Sequence, residues 1–406
     1  MNKKPLPDDK TAKWPSGILV TGGLGFLGSH AATALVQEGF HIYLLARSQN
    51  GVSADKRLQL LLDWLGVGAE EKTRFHLFQG DLDHPGFGLD ADTRHVLVNA
   101  VEEILHCASD TSFSERRRPR IEKTNVANLD HLLDFAEASR CRLFHHVSTA
   151  FVAGKQTGPC PESFRRTDAF INVYEKTKYQ AERRLIERCT ALNLPLNIYR
   201  PSIVYGHSQT GRALRFNALY YPMRTLAFFK NVYERDIIEG DGLKAGAMGV
   251  KLDGRDRLHM PIRLDAAGGA GLNLIPVDFF AQAFIILRKQ AGRGNGIFHI
   301  VNSKQTDVED LVAFANRFFR IDGFRVVSSE AFDKRPRNGL ESLFDKCVET
   351  YRPYMKESRT FRDDKTRACL NDHRIVCPDL DYDTFSSCMQ YAVQTDWGLK
   401  LFHAEA

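Results

Sequence analysis

Ile18-Leu19-Val20-Thr21-Gly22-Gly23-Leu24-Gly25-Phe26-Leu27-Gly28 is the stretch from which the rest of the chain is read. Its opening is apolar and rich in β-branched residues, which predicts a buried strand. Glycines follow at Gly22, Gly25 and Gly28. The next residues, Ser29 to Glu38, suit a helix that closes at Gly39. A strand, a glycine turn and a helix in that order make an anion cradle. The turn exposes backbone N–H groups, and the helix N-terminus aims its partial positive charge at a phosphate. Gly22 permits the tight turn, Gly25 lets the backbone approach a pyrophosphate, and Gly28 lets the helix pack close to the strand. Thr21, Gly22, Gly25, Phe26, Leu27 and Gly28 are therefore candidate dinucleotide-binding residues.

The bulk numbers restrict the partners. The chain has 406 residues, 43% of them hydrophobic, enough for one large core or two domains. Its formal net charge is +5, and no Lys/Arg run is interleaved with aromatics as a nucleic-acid surface requires. That mild balance suits an acidic partner such as a nucleotide cofactor, coenzyme A or a carrier protein. The 8 cysteines are scattered with no Cys-x-x-Cys pair, so neither a metal site nor a disulfide framework is expected. Free thiols fit a cytoplasmic location. Residues 1–16 read as a flexible tail without a secretory signal. No apolar run reaches the ~20 residues of a membrane span, so only surface association with a membrane is compatible. The most apolar later stretch, Phe216 to Phe229, is broken by Arg224.

Beyond the first helix, Phe40 to Ala46 predicts a second buried strand, followed directly by Arg47 and Ser48. An NAD-binding unit places a carboxylate there for the ribose 2′-hydroxyl; a cation and a hydroxyl suit a 2′-phosphate, so NADP(H) is the expected cofactor. Ser53 to Leu65 has helical periodicity. Arg74 to Gln79 is a third strand closed by Gly80-Asp81-Leu82, where Asp81 could accept from the adenine amino group and Leu82 could lie on the ring. Glu103 to Ser109 is a fourth strand, and its small residues Cys107, Ala108 and Ser109 let a cofactor lie against backbone. A helix over 120–139 carries Asn125 in its first part, another cofactor candidate. Leu143 to Thr149 is strand five, Ile171 to Leu185 a long helix, and Leu196 to Arg200 strand six. Strands and helices alternating at this spacing predict a Rossmann-like, doubly wound parallel α/β sheet, with ligands at the carboxyl ends of the strands. Pro201 to Gly206 then leaves the sheet as a loop, and Gly-rich 240–271 reads as a long loop. Order returns with Leu272 to Asp278, a helix to Arg288, a strand from Gly296 to Val301 and a helix from Val308 to Phe319. The expected organisation is a tail over 1–16, an NADP-binding domain over 17–239, the loop, and 272–406. That last part combines the remaining Rossmann elements with a smaller, mostly helical, substrate-binding part.

Tyr174 and Lys178 stand four apart on a predicted helix, hence on one face. An ammonium beside a phenol favours the phenolate, so the tyrosine could pass a proton to or from a carbonyl oxygen near neutral pH. Thr149, ending strand five, can donate to the same oxygen, giving a small oxyanion hole. The Tyr-x-x-x-Lys spacing is common on charged helices; its weight comes from following the glycine turn and strand five in order.

The chain resembles the acyl-thioester-reducing branch of the extended short-chain dehydrogenases: fatty acyl-CoA reductases, the male-sterility type and carrier-protein thioester reductases. The segments that carry the resemblance include Leu44 to Ser48, Gly80-Asp81-Leu82, and His106-Cys107-Ala108-Ser109. They continue through His146-Val147-Ser148-Thr149-Ala150-Phe151-Val152-Ala153-Gly154, Tyr174-x-x-Thr177-Lys178-x-x-Ala181-Glu182, Arg200 to Gly206 and Ile275-Pro276-Val277-Asp278. They span Gly17 to about Arg288. The resemblance implies that Thr149, Tyr174 and Lys178 are catalytic and that Lys178 also holds the nicotinamide ribose. It implies further that Arg47 and Ser48 read the 2′-phosphate, and that Pro201, Ser202, Ile203 and Val204 contact the carboxamide end of the cofactor. Tyr351-Arg352-Pro353-Tyr354 with Phe361 is similar to the small C-terminal domain of fatty acyl reductases. The expected activity is NADPH-dependent reduction of an acyl thioester, on coenzyme A or an acyl carrier protein, to aldehyde or alcohol. A different extended dehydrogenase or epimerase, acting on a sugar nucleotide, sterol or hydroxy-lipid, shares the cofactor site. A non-catalytic NADP(H) sensor is the alternative of another class, although this chain retains both tyrosine and lysine.

Overall fold

The computed structural model describes residues 14–49, 51–266, 269–290, 294–356 and 359–402. Most of the expected tail, residues 1–13, lies outside the described residues, as do residues 267–268 of the Gly-rich segment. The central sheet has seven strands: β1 (Gly17–Thr21), β2 (His41–Ala46), β3 (Phe75–Gln79), β4 (Val101–His106), β5 (Leu143–Val147), β6 (Leu196–Pro201) and β7 (Gly296–Ile300). Their order is β3-β2-β1-β4-β5-β6-β7. The pairs from β3 through β6 are parallel. This is the doubly wound α/β architecture expected from the sequence. The order reverses between β1 and β4, the switch point where such sheets open a crevice at their carboxyl ends.

Sequence explains the pieces. Every residue of β1 and of β5 is buried, as in a parallel strand covered on both faces. Helix α1 (Phe26–Gln37) buries Ala31, Ala32, Leu35 and Val36. Helix α2 (Ala54–Leu65) starts where the Ser53 hydroxyl accepts from the Lys56 N–H at 3.2 Å, and it ends at Gly66 in the left-handed region, φ 72°. Helix α3 (Val173–Ala191) is capped by Asn172, whose Oδ1 accepts from the Glu175 N–H at 3.0 Å. Leu19, Tyr43, Ile104, Leu132, Phe144 and Leu185 belong to the core cluster around this sheet.

The chain forms two compact units. The first takes the residues up to Val152, Asn172–Arg200 and Phe284–Phe298; the second takes Ala153–Ile171, Pro201–Ala283 and His299 onward. The boundaries are therefore interleaved rather than sequential, and residues 201–239 cluster with the second unit. Within that unit, a strand Leu258–Asp265 pairs parallel with Ile321–Val327 and antiparallel with Lys251–Leu252. Helices Tyr220–Glu239, Val308–Phe319, Gly339–Val348 and Tyr382–Gln394 accompany it.

Three expectations need correction. The segment 240–271 is not an aperiodic loop: it holds a helix Leu243–Ala247 and the strand Leu258–Asp265, in which Leu258, Met260, Ile262 and Leu264 are buried in strict alternation. The 120–139 helix is not continuous. It runs as Arg118–Glu122, a π-turn Lys123–Ala127 and then Leu129–Ala138. Pro201 to Gly206 is not all loop, because Ile203–Tyr205 pairs in parallel with Leu274–Pro276. The mostly helical C-terminal part also holds a strand, Ile321–Val327, that the sequence reading did not single out.

Candidate active site

All three expected catalytic side chains lie in the first unit and come together at the carboxyl end of β5. Thr149 follows that strand by two residues, and its hydroxyl oxygen accepts from the Phe151 N–H at 3.3 Å. The Tyr174 hydroxyl is hydrogen-bonded to Thr149. Its ring sits 5.9 Å from that of Phe113. One turn further along α3, Lys178 is 3% exposed. Its Nζ donates to the Val147 carbonyl at 2.7 Å and stands 3.3 Å from His146 Nε2.

Electrostatics correct one expectation. Burial pushes the Tyr174 phenol up to about 12, the Thr149 hydrogen bond pulling the other way. The charge that acts on it beyond that is Glu175, which raises it further. The Lys178 ammonium points its donors at Val147 and His146 instead, so it does not create a phenolate here. Lys178 itself is lowered to about 8, by burial, against Glu182 and Cys107, which raise it. Glu182 in turn holds Arg200 in a buried bidentate pair, Nε–Oε1 2.9 Å and Nη2–Oε2 2.6 Å. That pair ties α3 to the end of β6.

The glycine turn adjoins this cluster. Gly22 has φ +69°, and a Cβ there would meet the Ala108 nitrogen at 2.6 Å. The Cys107 N–H donates to the Thr21 carbonyl at 3.0 Å, so the small residues after β4 abut the turn. A Cβ on Gly28 would strike the Gly22 carbonyl oxygen at 2.3 Å, whereas one on Gly25 meets only that oxygen, at 3.1 Å, and otherwise open space. Helix α1 begins at Gly25 with no side-chain cap and no acid in its first turn. These features fit a dinucleotide phosphate, for which uncapped N–H groups and an open approach are required. Phe26 and Leu27 are half-buried in that first turn.

Other candidates are spoken for. Thr21 Oγ1 is bonded to His106 Nδ1 at 2.7 Å, inside the sheet. Asn125 uses its full capacity: Oδ1 accepts from the Ser109 hydroxyl (3.1 Å) and the Asp110 N–H (2.8 Å). Its Nδ2 donates to the Asp110 carbonyl and the Thr177 hydroxyl, both at 3.0 Å. It staples the loop after β4 to α3, which leaves it no group for a cofactor. Arg47 is exposed and pairs with Asp81 at 2.8 Å, beside exposed Ser48. Leu82 packs on the core cluster, and its carbonyl lies 2.8 Å from His131 Nδ1. Pro201, Ser202, Ile203 and Val204 belong to the second unit, where the Ser202 N–H donates to the Ile300 carbonyl at 3.1 Å and the Ile203 N–H to the Asn273 carbonyl at 3.2 Å.

Sequence reasoning passed over His106, His146 and the Glu182–Arg200 pair. A signal for the histidines was present. His145 and His146 are adjacent on a strand and so face opposite sides. His145 meets Glu103 and Tyr199, at 3.0 Å each, while His146 meets Lys178.

Comparison with known proteins follows the same lines. A family model described as male sterility protein matches residues 20–284. A linear gramicidin synthase chain of Brevibacillus parabrevis is 24% identical over 93% of this chain, which is 7% of the synthase. A fatty acyl-CoA reductase of Drosophila melanogaster is 28% identical over 46% of this chain and 43% of its own. The chain thus spans less than half the length of these curated relatives. The terminal R domain from the myxalamid PKS-NRPS biosynthetic pathway superposes with a TM-score of 0.72 at 22% identity, covering 95% of this chain and 92% of that one.

Proposed function

We propose a reaction from one premise: the chain belongs to the male sterility protein family, within the extended short-chain dehydrogenases. It is an oxidoreductase with a nicotinamide dinucleotide site. The substrate we infer is an acyl thioester, carried on coenzyme A or on a carrier protein, and the product is an aldehyde, with alcohol after a second round. The preferred cofactor is NADPH, on the strength of Arg47 and Ser48 standing where a carboxylate would favour NADH. When bound, the nicotinamide supplies the hydride. Gly22 to Gly28 hold the phosphates, with Cys107, Ala108 and Ser109 as the wall beside them.

The observation that carries the reading is the Thr149–Tyr174 hydroxyl pair with Lys178 one turn away. A thioester carbonyl oxygen receiving hydrogen bonds from both hydroxyls is polarised as negative charge develops on it. With its phenol raised to about 12, Tyr174 keeps its proton at neutral pH. It is thus poised to donate, which reduction requires, rather than to abstract, which alcohol oxidation requires. The tetrahedral hemithioacetal then collapses, expelling the thiol. Lys178 holds positive charge beneath the two hydroxyls and orients what binds there.

The test is a panel of acyl-CoA, acyl-carrier-protein, UDP-sugar and secondary-alcohol substrates with NADPH and NADH. Reduced cofactor is followed by absorbance and products by mass spectrometry. Thioester-dependent NADPH oxidation with an aldehyde or alcohol product is expected. Tyr174→Phe should lower turnover roughly a hundred- to ten-thousand-fold while cofactor still binds. Turnover of the UDP-sugar or alcohol alone, or an unimpaired Phe variant, would reject the assignment.

A further inference from the structure

We propose that His146 is a positioning residue for the catalytic lysine: a neutral, buried imidazole that accepts from the Lys178 ammonium and holds it at the end of β5, one helical turn from Tyr174. This deepens the reading above and rests on it for the identity of the reaction. The geometry is specific. His146 is 1% exposed on β5, three residues before Thr149. Its Nε2 stands 3.3 Å from Lys178 Nζ. The Val147 carbonyl takes a second proton of the same ammonium at 2.7 Å. Two adjacent residues of one strand thus fix two of three donors, and the third is left for the reacting end of the site.

The ring is locked from its other side. His146 pairs in register with His106 of β4, and the two imidazoles stack at 5.3 Å and 17°. His106 is tied to the glycine turn by its 2.7 Å bond to Thr21 Oγ1. A continuous path therefore runs from the cofactor turn on β1, across β4 and β5, to the catalytic helix. With Lys178 charged, Nε2 is the acceptor, so the proton of a neutral His146 sits on Nδ1. Nδ1 is buried and has no hydrogen-bond partner among the described residues. A buried donor without a partner is costly. It is tolerated where the ring is fixed for its other nitrogen.

The charges around Lys178 agree. Facing it are His106 at the end of β4, Cys107 just after that strand and His146 from β5; Glu182, which is neutralised by Arg200 of β6, shares its helix along with Tyr174. Burial first, and then the Lys178 charge, hold His106 down to about 3 and His146 well below its usual range. Both rings stay uncharged at neutral pH, so His146 remains an acceptor and adds no repulsion.

The experiment compares His146→Leu, which removes the acceptor, with His146→Gln, whose side-chain oxygen can reach a similar place. The log kcat–pH profile is measured with whichever thioester the wild-type chain reduces. The Leu variant should bring the alkaline fall in kcat to lower pH by about one unit, the size of one charge-assisted hydrogen bond, while Gln keeps the wild-type profile. KM for cofactor should move much less than kcat in both. Equal alkaline limbs in Leu and wild type, or a Gln variant as impaired as Leu, would overturn the proposal. A second measurement needs neither substrate nor a folded variant. Ring 15N shifts of the cofactor-free wild-type protein should show His146 neutral with its proton on Nδ1; a charged ring or an Nε2–H tautomer would overturn it. A wild type that reduces no thioester ends the reaction reading and leaves this second result to decide the role of His146.

Discussion

A single guanidinium and a single ammonium set the two properties most open to test. Arg47 is exposed and already paired with Asp81 at 2.8 Å, so its side chain is held near the end of β2 before any nucleotide arrives. Arg47→Ala should raise KM for NADPH roughly tenfold, the size of one charge-assisted hydrogen bond, and leave KM for NADH nearly unchanged. Equal effects on both cofactors would show that Arg47 does not read the 2′-phosphate. Lys178, lowered to about 8 by burial, gives a pH dependence with a definite sign. Its charged form is lost as pH rises, so kcat for reduction should be level on the acid side and fall as pH climbs through about 8. Tyr174, raised to about 12, keeps its proton across that range and adds no limb of its own. A kcat profile that rises through that pH instead would mean that a phenolate does the work. That Tyr174 and Lys178 share one face of a helix was legible in the sequence from their spacing. Their ionisation was not. It depends on burial first, then on Glu182 and Cys107 around the ammonium and on Thr149 and Glu175 around the phenol, a balance that helical spacing does not reveal.

Elements show where pattern sufficed and where it did not. β1, α1 and the Val308–Phe319 helix follow from apolar runs, 3.6-residue spacing and their glycine or polar ends. The strand Leu258–Asp265 alternates as clearly as any in the chain, yet Pro261 within it and the flanking glycines read as breakers. Pairing with Ile321–Val327, far away in sequence, overrides them. The π-turn Lys123–Ala127 left no local trace, because it exists to bring Asn125 to bonds with Ser109, Asp110 and Thr177. Asn125→Ala would orphan several of these groups and should cost about 1–3 kcal/mol of stability, read as a lowered unfolding midpoint in urea. The glycine turn separates two roles that sequence alone assigns together. At Gly28 a methyl would overlap the Gly22 carbonyl backbone, so Gly28→Ala should destabilise the fold itself. At Gly25 the same methyl projects into the open approach. Gly25→Ala should therefore leave the melting temperature nearly intact and abolish the cofactor-induced rise in it. If the two variants behave alike, the cradle has been misplaced.

On the scale of the whole molecule, the chain completes its central sheet late. β7 supplies the edge of the sheet from residues 296–300, after the chain has passed through the Ala153–Ile171 and Pro201–Ala283 parts of the second unit. Arg288, from the segment leading into that strand, makes a bidentate pair with buried Glu103 on β4, at 2.7 and 2.9 Å. Glu103 also accepts from His145, which is bonded to Tyr199 of β6, so one network joins three inner strands to the returning segment. Burial alone would push the Glu103 carboxyl up; His145 and then Arg288 outweigh it and hold it below the usual carboxylate range. A carboxyl depressed in the folded state stabilises above its unfolded value and loses that contribution as pH falls through the folded one. Arg288→Met leaves a buried carboxylate without its guanidinium and should cost about 3–5 kcal/mol near neutral pH. The deficit relative to wild type should shrink as pH drops below about 4, where Glu103 becomes protonated in the variant and no longer needs a cation. Urea unfolding of both proteins at several pH values gives the two curves. A constant gap between them would show that Arg288 acts by packing over Phe40, 4.2 Å from its guanidinium, and not by neutralising Glu103. By the same reasoning a fragment ending at residue 206 carries Glu103 without Arg288 and the sheet without its edge strand. It should fail to unfold cooperatively, because in this molecule the first unit is closed by residues from beyond the middle of the chain.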